Sequence, residues 1–514
     1  MLTRRKLLKN SGIAALAAVS SDLWIPAARA QSASSFDYYI SPTGDDNNPG
    51  TLASPWSITA LNSKMSVYSG KRIGVIGDVG GTQTPLQYGT VGGTKTTLYS
   101  MMNGMGAQNA VLKVNGGSSS ASTYLGSCTS AGVYKVGWAI VDGANPSNGN
   151  APVSAQAILM GQPFYGVTPV PNPGYTTIDG LVVRNFNYAG IIFGDIQTAT
   201  LYGVIIQNCQ VYNGVCTTSA ENPGGIFLGT TSGAQVLNSL IYNCTCSGGD
   251  YSPWGTGGIT TYKASNLIVT NCTIYGCGYS IQNKDGNQYG TYSYNYFDTG
   301  NFGSATSLEV AVCLKSAIPA AGQTLICHHN IMIGDGYTGY GADAAKISGG
   351  ANFYNNTFYT PPAVTAQAYA AWFDNNSGAG PFNWYNNLVY FKTYGQNNGW
   401  NSGCLSFTPA TGISATSVDH NYYGTGMTFG TSTPNLSIGS WQALGYDANS
   451  VLGGSPFSST PAALNMNSFQ ITGPAKTAGR NGAACGALDG SGTVGCNFAA
   501  APVAPTAPVL ISIS

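Results

Sequence analysis

One short element recurs along the middle of the chain and restricts what it can fold into. Arg184-Asn185-Phe186, Asn208-Cys209-Gln210-Val211-Tyr212, Asn238-Ser239-Leu240-Ile241-Tyr242 and Asn271-Cys272-Thr273-Ile274-Tyr275 each carry a small polar marker followed by a β-rich run. The series continues as Tyr294-Asn295-Tyr296-Phe297, His329-Asn330-Ile331-Met332, Asn355-Asn356-Thr357-Phe358-Tyr359, Asn386-Asn387-Leu388-Val389-Tyr390 and His420-Asn421-Tyr422-Tyr423. Aligned on residues 185, 209, 239, 272, 295, 330, 356, 387 and 421, the spacings are 24, 30, 33, 23, 35, 26, 31 and 34. A period this variable describes one structural turn with loops of different length.

Runs this short, rich in Val, Ile, Tyr and Phe and bounded by Gly and Asn, are strands. A turn of a few dozen residues holding several strands buries its apolar side chains only against the turns above and below, which predicts a parallel β-helix solenoid. Asn at a bend can bond the neighbouring turns' amides, whereas stacked Asp would repel at a spacing of about 4.8 Å. A second column keeps step with the first: Ile191, Ile226, Ile259, Ile281, Val312, Ile347, Phe373 and Leu405. It predicts a second strand per turn, often opened by Gly, as at Gly190, Gly225 and Gly258.

Composition agrees with a solenoid. Charged residues make up 7%, against 70 Gly and 32 Tyr, while helical surfaces need far more Lys and Glu. Five of the 19 basic residues precede residue 31, accompanied only by Asp22, so the remainder is mildly acidic. Without basic runs, nucleic acid and anionic lipid are poor partners.

Residues 1–30 read as an export signal. Thr3-Arg4-Arg5-Lys6-Leu7-Leu8-Lys9 precedes an apolar stretch from Ile13 to Val19, and Ala28-Arg29-Ala30 makes a cleavage site. The Arg pair looks like a twin-arginine address; a basic flank on an ordinary secretory signal is the alternative. No later apolar run reaches the ~20 residues of a membrane span. The expected location is periplasmic or secreted.

The stretch from Tyr38 to Trp56, Tyr-Tyr-Ile-Ser-Pro-Thr-Gly-Asp-Asp-Asn-Asn-Pro-Gly-Thr-Leu-Ala-Ser-Pro-Trp, together with the marker turns, resembles the secreted right-handed parallel β-helix superfamily of pectate-lyase-like and alginate-lyase-like proteins. The resemblance implies an all-β, single-domain right-handed parallel β-helix over residues 31–498, with a short capping helix after Pro55. Residues 499–514 read as a flexible tail.

Twelve Cys in an exported chain permit disulfides. Cys216 and Cys246 lie at one offset from their marker Tyr, and Cys244 and Cys277 at another, so each pair falls on adjacent turns within bridging distance. Buried free thiols are the alternative. Cys485 and Cys496 could close a C-terminal loop. Paired C-x-x-C spacing is missing, which argues against zinc.

Strand alternation locates the candidate site. If the Ile column faces inward, outward positions include Phe227, Tyr262, Gln282, Lys284, Lys315, Lys346, Trp372 and Asp374. Lys284 and Lys315 share an offset from Ile281 and Val312, while Lys263 and Asp285 end their strands. Stacked ammonium groups repel, a cost that an anionic ligand would relieve, and Tyr262 and Trp372 offer flat faces to sugar rings. Lysines on a solvated strand face also need no ligand.

The resemblance implies a lyase in which Lys or Arg removes the proton α to a uronate carboxyl. On that basis Lys284 or Lys315 is the base and the other neutralises the carboxylate, with Tyr262 the acid. Lys346, Lys263, Trp372, Gln282 and Asp374 would bind substrate. No cofactor is required, although calcium is used in the superfamily, and Glu309, Asp335 and Asp343 are the oxygens nearest in register. His328, His329 and His420 read as stacked at a bend.

The paired Asp of polygalacturonases, the Trp-x-Asp-His of pectate lyases and the Asp-Pro-His-Asp of epimerases are not found in the sequence. A glycoside hydrolase, needing two opposed carboxylates, is therefore the second enzyme reading. A non-catalytic carbohydrate-binding surface or matrix protein is the reading from another class. The expected partner is an anionic polysaccharide, bound by a monomer.

Overall fold

The computed structural model describes residues 35–143 apart from 88, 92–93, 97–98 and 104–105, residues 155–160, and residues 174–496 with gaps. Those gaps are 187–188, 194–199, 217–223, 247–256, 285–288, 300–311, 316–321, 334–338, 341, 344–349, 361–367, 374–381, 392–395, 398–399, 402, 408–416, 431–435, 463 and 489–493. The chain divides into two units, residues 1–36 and 37–514, and every described strand belongs to the second.

Three long sheets run the length of this second unit, each taking one strand from each successive turn. The first extends from Tyr38–Asp45 to Val418–Asp419, the second from Leu86–Gln87 to Val451–Gly453, and the third from Tyr99–Asn103 to Thr428–Gly430. Neighbouring turns pair in parallel, as in Ile178↔Ile206 and Val211↔Ile241. The antiparallel pairing of Tyr99–Asn103 with Gly106–Val114 departs from this at the N-terminal end of the third sheet. This is a parallel β-helix, as the spaced markers predict. Among the described residues no helix is long and apolar enough to cross a membrane.

Alternate side chains from all three sheets point inward and stack by type. The first sheet contributes Ile178, Ile206, Val236 and Val269 and then turns aromatic at Tyr292, Phe353 and Trp384; all are 0–1% exposed. The second contributes Val183, Val211, Ile241 and Ile274, followed by Phe297, Met332 and Phe358. Each inward side chain meets its equivalent in the next turn, so the hydrophobic driving force binds turn to turn. Truncating one of these aliphatics to Ala costs roughly 2–5 kcal/mol.

The polar marker becomes a buried ladder at the corner between the first and second sheets. Asn295, Asn330, Asn356, Asn387 and Asn421 are all 0% exposed. Each side-chain oxygen accepts from the backbone N–H of the preceding marker: Cys272 to Asn295 at 2.9 Å, Asn295 to Asn330 at 3.0 Å, Asn330 to Asn356 at 3.1 Å, Asn356 to Asn387 at 3.1 Å and Asn387 to Asn421 at 2.9 Å. The side-chain NH2 groups donate to main-chain carbonyls, as from Asn356 to Cys327 at 2.9 Å. Only a residue with both an acceptor and a donor does both jobs. The corner's buried backbone groups are thereby satisfied.

The residue before each rung takes the left-handed conformation that turns the corner. Asn208, Asn238, Asn271, Tyr294, His329, Asn355, Asn386 and His420 have φ between +46° and +60°, a region that Asn and His tolerate better than most residues. The first marker is an exception. Asp179 pairs with Gln207 and Arg184 with Tyr212, so the partner of Cys209 is Leu181, and Asn185 aligns instead with Asn213. Asn185, Asn213 and Asn243 (φ +53° to +56°) turn the next corner, between the second and third sheets. Two corners both marked by Asn are indistinguishable without the strand register.

Both ends of the solenoid are closed. Helices α1 (Ile58–Ser63) and α2 (Met65–Tyr68) follow Pro55, and Ile58, Ala60, Leu61 and Tyr68 are buried against the first turns, as the sequence suggests. Ser57 caps α1 by accepting from Ala60 N–H at 2.9 Å. At the other end, α3 (Ile438–Ala443) lays Trp441 into the core.

The chain after α3 runs back over the outer face of the second sheet. Phe457, Phe469, Ile471, Ala487 and Leu488 pack on outward Tyr296, Ile331, Tyr359, Leu388 and Tyr422. Gly486 N–H donates to Asn386 O and Gly495 N–H to Tyr294 O, both at 2.8 Å. Asn386 and Tyr294 lie several turns apart, so Cys485 and Cys496 are held too far from each other for a bridge. Both are free thiols, which corrects the expected C-terminal loop.

Register does place Cys216 opposite Cys246, and Tyr242 opposite Tyr275, which sets Cys244 beside Cys277. In the structure Cys244 and Cys277 are buried thiols joined by a side-chain hydrogen bond, and that bond, ahead of burial, raises the Cys244 pKa.

Candidate functional site

The sequence places its candidates on the outer face of the third sheet, and strand register fixes where each one stands. Ile191, Ile226, Ile259 and Ile281 face inward at 0% exposure, so the residue after each faces outward. Outward Ile192, Phe227, Thr260 and Gln282 belong to a register row that runs Leu159, Ile192, Phe227, Thr260, Gln282, Lys315, Asp343, Trp372 and Ser406 on consecutive strands.

The Ile column deviates from its expected course after Ile281. Ile281 pairs with Leu314, Leu314 with Ala342, and Ala371 with Leu405; Val312 pairs with Tyr279. Val312 and Phe373 are thus out of register with the column by two residues, and Ile347 lies outside the described residues. The cause is the spread in loop length, which lets an aliphatic residue two or more positions away mimic the column.

This shift changes the lysine arrangement. Lys315 stands beside Gln282, whereas Lys284 stands beside Tyr262 on the preceding strand. The two lie diagonally in register, one strand apart and two residues along, about 8 Å between backbone positions at ordinary strand spacing and rise. They are not stacked at one offset. Beside Lys315 on the next turn is Asp343, and beside Asp343 is Trp372. Lys346, Asp374, Asp285, Glu309 and Asp335 lie outside the described residues.

Tyr262 is half-buried, with its ring centroid 5.6 Å from that of Phe227. Lys263 follows in the left-handed conformation (φ +55°) and is exposed. Gln282 faces outward yet is only 1% exposed, and so are Ile192 and Phe227, with Thr260 at 0%. The surface expected at Phe227 and Gln282 is therefore covered.

Below this row lies a polar chain that sequence reasoning missed. Thr261 donates to Asn283 Oδ1 at 2.8 Å, and Asn283 Nδ2 donates to Tyr292 OH at 3.0 Å, all inside the solenoid. Burial drives the Tyr292 pKa upward, so the phenol stays protonated. Thr261 and Asn283 sit at inward parity one turn apart, and that parity was the available signal.

Of the three candidate calcium ligands, Glu309 and Asp335 lie outside the described residues and Asp343 is placed by strand register alone. Among the described residues no group of three or more His, Cys, Asp or Glu could hold a metal. The three His lie where the sequence puts them, at the ladder corner. His328 Nδ1 and His329 Nδ1 are 2.9 Å apart, and the His328 ring stacks on Tyr354 at 4.8 Å.

Parallel strands joined through a crossover are right-handed almost without exception, and comparison with known proteins agrees. A family described as "Right handed beta helix region" matches residues 170–391. The chain is a right-handed parallel β-helix protein. Among solved structures it is similar to a pectate lyase (16% identity, 74% of this chain and 81% of the other, TM-score 0.45). It is also similar to a rhamnogalacturonan lyase (16%, 75% and 87%, TM-score 0.38) and to XylC in complex with xylose (11%, 78% and 85%, TM-score 0.40). At these identities the likeness concerns the fold of the β-helix protein alone. No match is found among curated proteins.

Proposed function

We propose that this β-helix protein is an exported polysaccharide lyase that cleaves a uronate-containing glycan by β-elimination on the outer face of the third sheet. The observation that carries the reading is the run of Gln282, Lys315, Asp343 and Trp372 on four consecutive strands, with Lys284 diagonal to Lys315. A cation, a carboxylate and an aromatic residue repeated at turn spacing suit a charged sugar chain lying along the solenoid.

Either lysine could be the base, and we assign the roles from their neighbours in register. Lys315, in register with Asp343, is assigned to neutralise the substrate carboxyl. Lys284, in register with Tyr262, is then the base. Its amine takes the proton α to the uronate carboxyl, the electron pair shifts into the carboxyl as an enolate-like anion held by Lys315, and collapse of that anion expels the β-linked oxygen. Tyr262 donates its proton to the leaving oxygen. One chain end leaves with a carbon–carbon double bond and the other with a hydroxyl.

Incubating the protein with a panel of uronate polysaccharides, with and without calcium, tests the reading through absorbance of the unsaturated product. New reducing ends without that absorbance would indicate hydrolysis. Neither signal with any substrate would leave the carbohydrate-binding rod.

A further inference from the structure

A column of rings climbs the outer face of the first sheet beside the Asn ladder. His328, Tyr354 and Tyr385 are register neighbours on three consecutive strands. Their rings are nearly parallel, His328 to Tyr354 at 4.8 Å and Tyr354 to Tyr385 at 5.3 Å, with 5° between the planes of each pair. All three are half-buried. The returning C-terminal chain sets the guanidinium of Arg480 over the Tyr385 ring, 4.0 Å from its centre. Its backbone fixes it there, since Arg480 N–H donates to Asn386 Oδ1 at 2.7 Å. A Cβ on Gly479 would stand 2.9 Å from that same oxygen, so this close approach needs glycine.

The corner keeps hydrogen-bonding groups that the fold does not use. Asp419, the carboxylate next to Tyr385 in register, is already occupied: it accepts from Asn449 N–H and Nδ2 at 2.7 Å each and from His420 N–H at 2.8 Å, and His420 Nδ1 lies 3.1 Å from Oδ2. Among the described residues no carboxylate pairs with the half-buried Arg480 side chain, and the phenol groups of Tyr354 and Tyr385 make no hydrogen bond. Burial raises the pKa of both phenols, with Arg480 opposing the rise at Tyr385, so both remain donors. Asn352 and Asn383 flank the column on the same face, half-buried, and Asn383 Nδ2 donates to Asn352 Oδ1 at 2.6 Å.

We infer that this corner of the first sheet is a binding site for an acidic glycan, with Arg480 as the residue that takes a uronate carboxylate. A guanidinium presents a planar fork that matches a carboxylate with two parallel hydrogen bonds. Tyr385 holds that fork by its flat face and leaves the N–H edge free to a ligand. The Tyr354 and Tyr385 hydroxyls and the Asn352 and Asn383 amides repeat at turn spacing and suit the hydroxyls of a sugar chain lying along the solenoid. The site shares the substrate class of the proposed lyase reading but none of its residues. It holds the polymer whether or not the third sheet cleaves it.

Calorimetry with oligosaccharides of galacturonate, mannuronate and guluronate, each beside its methyl ester, tests the site. The protein carries Lys284→Ala and Lys315→Ala, so that the third sheet neither cleaves nor holds the probe. The expected result is that at least one free acid binds and its ester binds about tenfold more weakly or worse. Adding Arg480→Met, which keeps a stem over Tyr385 and removes the fork, should weaken the free acid by about tenfold or more with an unchanged thermal midpoint. Arg480→Lys should recover little of the loss, because an ammonium lacks the fork. Equal binding of acid and ester, equal binding by Arg480→Met, or no binding of any acid would overturn the inference, and none of these touches the lyase reading. Should Arg480→Met lower the midpoint, hydrogen exchange of the protein that keeps Arg480 decides: slowing at residues 479–486 with the acid and not the ester supports the site, and its absence overturns it. Arg480-dependent binding by a wild-type protein that cleaves no polymer would remove the lyase reading and leave the site standing.

Discussion

Asn421 donates from its side-chain amide to Asp447 Oδ1 at 2.9 Å, and this contact ends the ladder. Asp447 is fully buried and also accepts from Trp441 Nε1 at 2.8 Å, Ser450 Oγ at 2.5 Å and Tyr423 OH at 3.1 Å. Every partner is a donor, so the position needs an acceptor. Burial raises the carboxyl pKa, and the four hydrogen bonds oppose that rise. Asp447→Asn places an amide NH2 against donors. It should destabilise the C-terminal turns by about 1–3 kcal/mol, read as a lower midpoint in urea. An unchanged midpoint would mean the ladder does not depend on its cap.

A mid-ladder substitution tests the rungs themselves. Asn356 accepts from Asn330 N–H and donates to Cys327 O and to Asn387 Oδ1. Asn356→Asp keeps the shape, removes both donors and buries a charge. The loss should exceed the ~1 kcal/mol of one ordinary hydrogen bond and should shrink on acidification as the carboxyl protonates. Equal loss at all pH values would point to shape alone.

His328 gives a pH dependence of definite sign. Burial first, and His329 second, depress its pKa from 6.5 to about 3. The unfolded chain therefore binds a proton that the folded chain refuses between these values, and stability falls as pH drops through that window. His328→Phe keeps an aromatic ring on Tyr354 and has nothing to protonate. Thermal midpoints of wild type and variant should converge or cross as pH falls from about 7 to about 4, the window that the shift sets. Parallel curves would refute the assignment.

Two substitutions separate the roles beside the lysine base. Under the proposed assignment Lys315→Ala removes the group that neutralises the substrate carboxyl and should raise KM as well as lower kcat. Asp343→Asn leaves that lysine in place and should have the smaller effect on kcat/KM. Steady-state kinetics on the cleaved polymer would show the order, and the reverse order would contradict Lys315 as the neutralising group.

Much of the fold was legible in the chain. The ladder from Cys209 to Asn421 follows from the markers because a corner needing an acceptor and a donor in every turn admits few residue types. The capping helix after Pro55 and the adjacency of Cys244 to Cys277 were also readable. What misled were positions where two corners use the same residue, as at Asn185, or where loops vary, as at Val312 and Phe373. Burial of Gln282 and Phe227 was hidden for another reason: period two tells which way a side chain points and cannot tell what lies over it.

The central claim is that Lys284 is the base of an elimination on this face. The measurement that reaches it most directly is the initial rate of unsaturated-product formation by Lys284→Ala, with folding checked by an unchanged thermal midpoint. The predicted result is a fall of about 10²–10⁴-fold, the contribution of a positioned general base. A folded variant cleaving at the wild-type rate would contradict it.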